Sequence, residues 1–246
     1  MMVSSVPSGS AEELLGLWER AVATAPVERG DALLALQREP LPESLGAYNA
    51  ALLGLRARLF GNAQLLSSRC AACGATIEFA VDCDVLARAL APTGDGREER
   101  LETDGYRVEF SLPGVTDVRA ASAHADRDEF VRTLLRRCVT RCERDDGEPC
   151  DAANMPASVA DALSRRMESL EPGAAVSFDL TCPECGAQWN APMDCADVVW
   201  SELQARAERL LLDVDALARA YGWSEPQVLA LSATRRAAYL QLIGGG

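Results

Sequence analysis

A five-residue cysteine motif occurs twice in this chain and constrains its fold more than any other feature. The first copy is CAACG at residues 70–74, and the second is CPECG at residues 182–186. Two thiolates separated by two residues can occupy neighbouring corners of a tetrahedron, so each copy supplies half of a four-coordinate zinc site. The glycine that follows accepts a positive φ and lets the backbone turn back toward the sulfurs. The predicted ligands of one shared zinc ion are Cys70, Cys73, Cys182 and Cys185.

The repeat extends beyond the cysteines of the motif. Residues 70–84, CAACGATIEFAVDCD, align without gaps to residues 182–196, CPECGAQWNAPMDCA, and each copy carries an Asp-Cys pair at the same offset. In each copy a β-like run follows the glycine, and an apolar helical pattern follows the Asp-Cys pair. We interpret each copy as strand, turn, strand and helix, and the two copies as an internal duplication.

The remaining cysteines leave alternatives open. Cys83 and Cys195 follow the two motifs at equal distances and could be additional ligands of two three-cysteine sites, although small buried residues at helix starts are the simpler interpretation. The motif cysteines could also form reduced turns without metal, which the duplicated C-x-x-C-G pattern disfavours. Cys138 and Cys142 are predicted to lie on one helix face. Cys150 directly follows an acidic loop, residues 143–149, and no partner is expected for it.

Composition limits the class of protein. The 246 residues carry a formal net charge of −13, and all 24 basic residues are arginine. Such a chain is a poor general binder of nucleic acid, because phosphate contacts dominate that affinity. The sequence has no apolar run of about 18 residues that would predict a membrane span, and its first residues, MMVSSVPSGSAEELL, lack the features of a secretory signal. Nine cysteines without such a signal favour metal binding in a reducing cytoplasm over disulfides.

Apolar periodicity predicts helices on both sides of the cysteine motifs and mixed structure between them. Ser10 with Glu13 and Ser224 with Gln227 are predicted capping boxes, and Asp104-Gly105 predicts a two-residue hairpin turn. The predicted helices cover residues 10–24, 28–38, 44–60, 84–90, 129–141, 158–170 and 196–220, with a final helix from residue 232.

We therefore predict an α+β fold that is mainly helical. Its small β core is built from two repeated zinc-knuckle hairpins and is flanked by N- and C-terminal helices. The predicted segments are an N-terminal helical segment (1–66), the zinc-knuckle core (67–195) and the C-terminal helices (196–246). A strand–helix–helix–strand segment, about residues 97–181, is inserted into the core.

No sequence pattern points to catalysis. The single histidine, His124, lies in the polar stretch SAHADRDE, and the sequence contains no G-x-S-x-G, phosphate-loop or H-E-x-x-H pattern. A zinc ion held by four thiolates has no open position for water or substrate, so the predicted zinc is structural. We expect neither an enzyme nor a small-molecule substrate.

The C-terminal part of the sequence resembles a known family. Residues 211–242, LLDVDALARAYGWSEPQVLALSATRRAAYLQL, contain the patterns LAxxYGWSE and LxLSxxRRxxYL. They resemble the end of the T-even-phage-type baseplate hub assembly chaperones, which are encoded beside contractile tails and extracellular contractile injection systems. LWERA (17–21), LLGLRARLFG (52–61) and YRVEFSLP (106–113) agree with this family, and the resemblance covers most of residues 11–243. Asp215 departs from it, because histidine is frequent there in the family.

The resemblance implies a non-enzymatic factor that helps to build, or joins, the central hub of a baseplate, with hub or spike proteins as partners. We predict a partner-binding surface around Tyr221 and Trp223, because aromatic residues are enriched at interfaces. Arg235 and Arg236 are predicted to be either surface charges or contacts to an acidic partner. Two alternatives stay open: a zinc-ribbon regulator that binds DNA or the transcription machinery, and a structural baseplate subunit retained in the particle. The expected location is the cytoplasm or the assembled particle.

Overall fold

The computed structural model describes residues 10–35, 40–90, 98–124 and 126–244. Helices dominate, and the sheets are small and antiparallel, which confirms the predicted mainly helical α+β class. The helices are α1 (Ala11–Val22), α2 (Arg29–Leu34), α3 (Leu45–Phe60), α4 (Cys83–Leu90), α5 (Val115–Ala121), α6 (Arg127–Cys138), α7 (Ala157–Leu170), α8 (Cys195–Tyr221), α9 (Glu225–Leu229) and α10 (Ala233–Gly244). The strands are β1 (Ala63–Arg69), β2 (Thr76–Asp82), β3 (Glu99–Thr103), β4 (Tyr106–Phe110), β5 (Val139–Arg144), β6 (Ser177–Thr181) and β7 (Gln188–Pro192).

The chain divides into two compact units. The first unit contains α1, α2, the last residues of α3, and the helices α8 to α10. The second unit contains the start of α3 and all the elements from β1 to β7. The three-segment division predicted from the sequence stays a prediction.

Local sequence signals set several helix ends. The backbone N–H of Glu13 donates a hydrogen bond to the Ser10 hydroxyl at 3.0 Å, which caps the start of α1. The Ser224 N–H donates to the Gln227 side chain at 2.9 Å, which caps the start of α9. Helix α3 ends where Gly61 takes a φ of 94°. The helix starts predicted at Ser10 and Ser224, and the stop predicted at Gly61, are confirmed.

The second unit contains an antiparallel sheet with the order β3-β4-β5. Asp104 and Gly105 join β3 to β4 with φ values of 50° and 78°, as a type I′ turn requires at both central positions. The predicted hairpin is therefore confirmed. Val108 and Phe110 of β4 are fully buried and share a core cluster with side chains of α7.

One predicted helix ends earlier than expected. The helix predicted over 129–141 stops at Cys138, and the chain continues directly into strand β5. The placement of Cys138 and Cys142 on one helix face is therefore wrong, because Cys142 pairs with Val108 of β4 in the sheet. The first residues of β5, Val139 and Thr140, are β-branched and suit a strand. The last residues of the helix predicted over 28–38 lie outside the described residues.

A buried ion pair connects two helices of the first unit. Arg56 of α3 is 3% exposed, and its Nη2 lies 2.9 Å from Oε2 of Glu202 in α8. The same guanidinium donates a further hydrogen bond to the Gly61 carbonyl. In the same unit the guanidinium of Arg29 lies over the ring of Trp200, 4.7 Å from its centroid. Two arginines of α2 and α3 thus help to fix the first half of α8.

None of the helices in the described ranges is both long and apolar enough to cross a lipid bilayer. Helix α8, with 27 residues, carries charged side chains along most of its length.

Replacing Arg56 by alanine should lower the free energy of unfolding by about 3 kcal/mol, because Glu202 would keep a partly buried charge without its main partner. We expect the lower end of the usual range, since Arg206 lies 3.5 Å from the other Glu202 oxygen. Urea denaturation followed by circular dichroism measures the change. Arg58→Ala is the matched control, because Arg58 lies on the same helix and is exposed; equal effects of the two substitutions would contradict the stabilising role of the ion pair.

Candidate metal centre

The first cysteine motif forms the tip of the β1–β2 hairpin. Arg69 and Thr76 are the last residues that pair before the turn. The turn is closed by two backbone hydrogen bonds: Cys70 N–H donates to the Ala75 carbonyl at 2.8 Å, and Gly74 N–H donates to the Cys70 carbonyl at 2.9 Å. Gly74 has a φ of 78°, which explains the glycine after the second cysteine.

The second motif forms the same turn at the tip of the β6–β7 hairpin. Cys182 N–H donates to the Ala187 carbonyl at 2.8 Å, and Gly186 N–H donates to the Cys182 carbonyl at 2.9 Å. Gly186 has a φ of 74°. The two copies of the sequence repeat therefore have matching backbone hydrogen bonds and matching glycine conformations.

Side chains from the inner faces hold the two hairpins together. Along all four strands, half-buried or buried residues alternate with exposed ones, as the two-residue period of a strand requires. The rings of Phe79 and Phe178 meet edge to face with centroids 5.2 Å apart. The indole Nε1 of Trp189 donates to the Ser68 hydroxyl at 3.1 Å. These contacts bring the two tips, and with them the two cysteine motifs, side by side.

Four cysteine sulfurs meet between the tips and all lie within 4.8 Å of one another. Cys70 Sγ is 3.8 Å from Cys185 Sγ, and Cys73 Sγ is 3.6 Å from Cys182 Sγ. Metal–sulfur bonds of about 2.3 Å in a tetrahedron place neighbouring sulfurs about 3.8 Å apart. The four cysteines predicted as ligands could therefore hold one metal ion between them.

The centre lies at the surface of its unit. The first cysteine of each motif is buried, with Cys70 and Cys182 each 1% exposed, whereas Cys73 and Cys185 are exposed. Each of these two sulfur–sulfur contacts joins the first cysteine of one motif to the second cysteine of the other. Two sulfurs thus face the protein interior and two face solvent, so a chelator in solution has access to an ion at this site.

The cysteines of the cluster differ in their pKa values. The backbone N–H of Cys73 is the main cause that lowers the pKa of Cys70 to about 7. At Cys73, the backbone N–H of Ala75 favours the thiolate, but the neighbouring thiols of Cys185 and Cys182 outweigh it and raise the pKa to about 12. The thiol of Cys70 therefore loses its proton more easily than an ordinary cysteine, whereas a second thiolate, at Cys73, is unfavourable. A bound cation overcomes this, because it stabilises several thiolates at once.

Cys83 and Cys195 take no part in this cluster. They are the first residues of α4 and α8 and are 0% and 2% exposed. Burial raises the pKa of Cys195 to about 12, so this side chain stays a neutral thiol. Both behave as small buried residues at helix starts, which is the simpler of the two interpretations that the sequence allowed.

The aromatic residues predicted to bind a partner pack against each other in the first unit. The rings of Tyr221 and Trp223 stack with centroids 4.8 Å apart. Tyr239 of α10 meets both rings edge-on, at 5.7 Å and 4.9 Å. We call these three residues the C-terminal aromatic cluster. Tyr239 was not among the predicted binding residues, although it lies in the second of the two C-terminal sequence patterns, LxLSxxRRxxYL.

The two predicted arginines differ in their surroundings. Arg236 Nε lies 3.2 Å from a carboxylate oxygen of Asp213 in α8, and the Arg236 side chain is 13% exposed. Arg235 is exposed. Arg236 thus holds α10 against α8, and Arg235 is available to a partner. The predicted partner-binding role of Tyr221, Trp223 and the two arginines stays a prediction.

Comparison of this chain with protein-family models, curated proteins and solved structures found no match. The resemblance to baseplate hub assembly chaperones therefore stays a prediction from the sequence patterns.

The purified protein should carry one metal ion per chain, measured by native mass spectrometry. Cys70→Ser and Cys182→Ser should each lose it, because each removes a buried corner of the tetrahedron. Cys83→Ala is the control and should keep the ion. Two ions per chain, or full occupancy in Cys70→Ser, would contradict the shared four-sulfur site.

Proposed function

We propose that the four-cysteine cluster holds one structural zinc ion, so that the two hairpins are zinc knuckles. The observation that carries this proposal is the spacing of 3.6 Å to 3.8 Å between sulfurs of different hairpins, which fits a tetrahedral tetrathiolate site. Soft thiolate ligands favour zinc or an iron–sulfur centre, and a single four-coordinate ion needs no ligand beyond the cysteines. We call the ion with its four ligands the zinc staple.

The zinc staple would stabilise the two hairpins, which have little stability of their own. Each hairpin has two strands in the described part of the chain, and isolated two-stranded sheets are marginal in water. An aromatic pair such as Phe79–Phe178 contributes only about 1 kcal/mol. Zinc binding to four thiolates can contribute on the order of 10 kcal/mol to folding. It would also join the two ends of the long stretch of chain between the motifs and so close it into a loop.

Removal of the metal should lower the melting temperature of the second unit by more than about 10 °C, because each kcal/mol corresponds to roughly 2–4 °C in a chain of this size. Differential scanning calorimetry with and without a chelator measures the shift, and elemental analysis should identify the released metal as zinc. Added zinc should restore the transition.

The Cys182→Ser variant is the matched control, since a chelator should not change its melting temperature further. Release of iron, or an unchanged transition after complete removal of the metal, would contradict the structural zinc.

We further propose that the protein is a non-enzymatic assembly chaperone, or a component, of the baseplate hub of a contractile tail or injection system. The support is the C-terminal sequence pattern together with the packing of its residues. Tyr221 and Trp223 of the YGWSE segment and Tyr239 of the following pattern form one cluster. The pattern therefore corresponds to one local structure built from α8, α9 and α10.

The surface beside this cluster suits a protein partner. Tyr221 is 40% exposed, and Leu242, three residues beyond Tyr239 in α10, is 68% exposed. Exposed aromatic and aliphatic side chains with an arginine nearby are typical of protein interfaces, and Arg235 is exposed on α10. A hub or spike protein with an apolar, acidic surface would fit it.

A zinc-ribbon regulator is the second candidate, because paired hairpins with cysteine turns at their tips are the architecture of a zinc ribbon. Two observations weigh against it. Arg236 is held by Asp213, and the chain has a net charge of −13, so the paired arginines are a weak basis for binding phosphates.

Co-expression with hub and spike proteins of a contractile tail or injection system from the same organism should yield a stable complex. Tyr221→Ser should weaken this complex at least tenfold, because an interface aromatic contributes about 2 kcal/mol when it is an anchor. Arg209→Glu, an exposed position on the same helix, is the control and should bind as the unmodified protein does. Salt-sensitive binding to duplex DNA without capture of any hub protein would instead favour the regulator.

A further inference from the structure

A second cysteine pair lies outside the four-sulfur cluster. The Sγ atoms of Cys142 and Cys150 are 3.2 Å apart. Cys142 belongs to β5 and is 6% exposed, and Cys150 is half-buried after the acidic loop. The sequence predicted no partner for Cys150, and this expectation is wrong. The pair was not predicted, because the helix expected through residue 141 placed Cys142 beside Cys138 instead.

The backbone brings the two cysteines opposite each other. Beyond β5 the chain turns back: Arg144 N–H donates to the Glu148 carbonyl at 2.9 Å, and Cys150 N–H donates to the Cys142 carbonyl at 2.9 Å. Opposite residues of an antiparallel pair have Cα atoms about 4.5–5.5 Å apart. This spacing lies within the range that a disulfide accepts, so the sulfurs can approach to bonding distance by small rotations of the side chains.

We propose that Cys142 and Cys150 are a redox-active pair that forms a reversible disulfide with a small-molecule disulfide as the oxidant. The thiolate of Cys150 attacks one sulfur of the oxidant, and the first small thiol leaves with the proton that Cys150 has lost. The Cys142 sulfur then attacks the mixed disulfide at Cys150, and the second small thiol leaves with the proton of Cys142. Two protein thiols lose two electrons and two protons, and one small disulfide becomes two thiols.

The accessibility of the two cysteine sulfurs determines which of them reacts first with the oxidant. Burial raises the pKa of Cys142 to about 12, so its sulfur is both covered and protonated before the first step. Cys150 is partly exposed and is the sulfur that an external reagent reaches first. Once Cys142 loses its proton, it resolves the mixed disulfide, because its sulfur already lies beside that of Cys150.

Formation of the bond would fix an exposed acidic segment. The ring that it closes contains residues 143–149, and Asp145, Asp146 and Glu148 within it are exposed. This loop would be tied to β5, and the four cysteines of the metal centre would not be consumed. The inference is therefore independent of the identity of the metal and of the partner.

Peptide mapping of the metal-loaded protein tests the pair directly. The protein is treated with oxidised glutathione, free thiols are alkylated, and the chain is digested with trypsin. Cleavage after Arg141 and Arg144 separates the two cysteines into peptides 142–144 and 145–165. We expect these peptides to be joined by a disulfide, with a mass lower by two hydrogens than the sum of the reduced peptides. We also expect the metal to be retained and a dithiol reductant to separate the peptides.

Two variants resolve the mechanism. Cys142→Ser should leave glutathione attached to Cys150, and Cys150→Ser should leave Cys142 unmodified. Cys138→Ala is the matched control, because Cys138 is also buried and lies nearby in sequence, and it should keep the linked peptides. The proposal is overturned if both sulfurs of the unmodified protein are alkylated after oxidation. It is equally overturned if oxidation joins the motif cysteines and releases the metal before peptides 142–144 and 145–165 become linked.

Discussion

The meeting of four cysteine sulfurs between two hairpin tips is the constraint on which the second unit depends. The hairpins β1–β2 and β6–β7 come from distant parts of the sequence, and each has two strands within the described ranges. Their inner faces contribute an aromatic pair and an indole hydrogen bond, each of which adds only about 1 kcal/mol. An ion shared by both tips would add the largest single stabilising contribution. The sheet β3-β4-β5 and the helices α5 to α7 lie between the two motifs in sequence. The ion would therefore also close a loop of chain that contains them.

The proposed roles fall on different parts of the chain. The metal centre belongs to the second unit, whereas the C-terminal aromatic cluster and the exposed Arg235 belong to the first. A zinc ion held by four thiolates performs no chemistry on a substrate, so the proposed assembly function depends on helix surfaces. The pair Cys142 and Cys150 adds a site that responds to oxidants without using the metal ligands.

The sequence predicted the features that depend on local geometry. Two cysteines and a glycine at fixed spacing specify a turn, and the duplication of that turn indicated that the four sulfurs meet. Capping residues and the Asp-Gly turn set element ends for the same reason. Contacts between distant residues had no such signal: the ion pairs of Arg56 with Glu202 and of Arg236 with Asp213 join side chains from different helices. Strand β5 was missed because pairing with β4 overrides a helical pattern that continues past Cys138.

X-ray absorption spectroscopy at the zinc edge tests the central claim most directly, because it counts the ligand atoms of the metal and measures their distances. The zinc staple predicts four sulfur atoms at about 2.3 Å and no lighter ligand. A nitrogen or oxygen ligand at about 2.0 Å, or fewer than four sulfurs, would contradict it. The two hairpins would then not share one tetrathiolate ion, and their contact would have to be explained by the side chains of their inner faces alone.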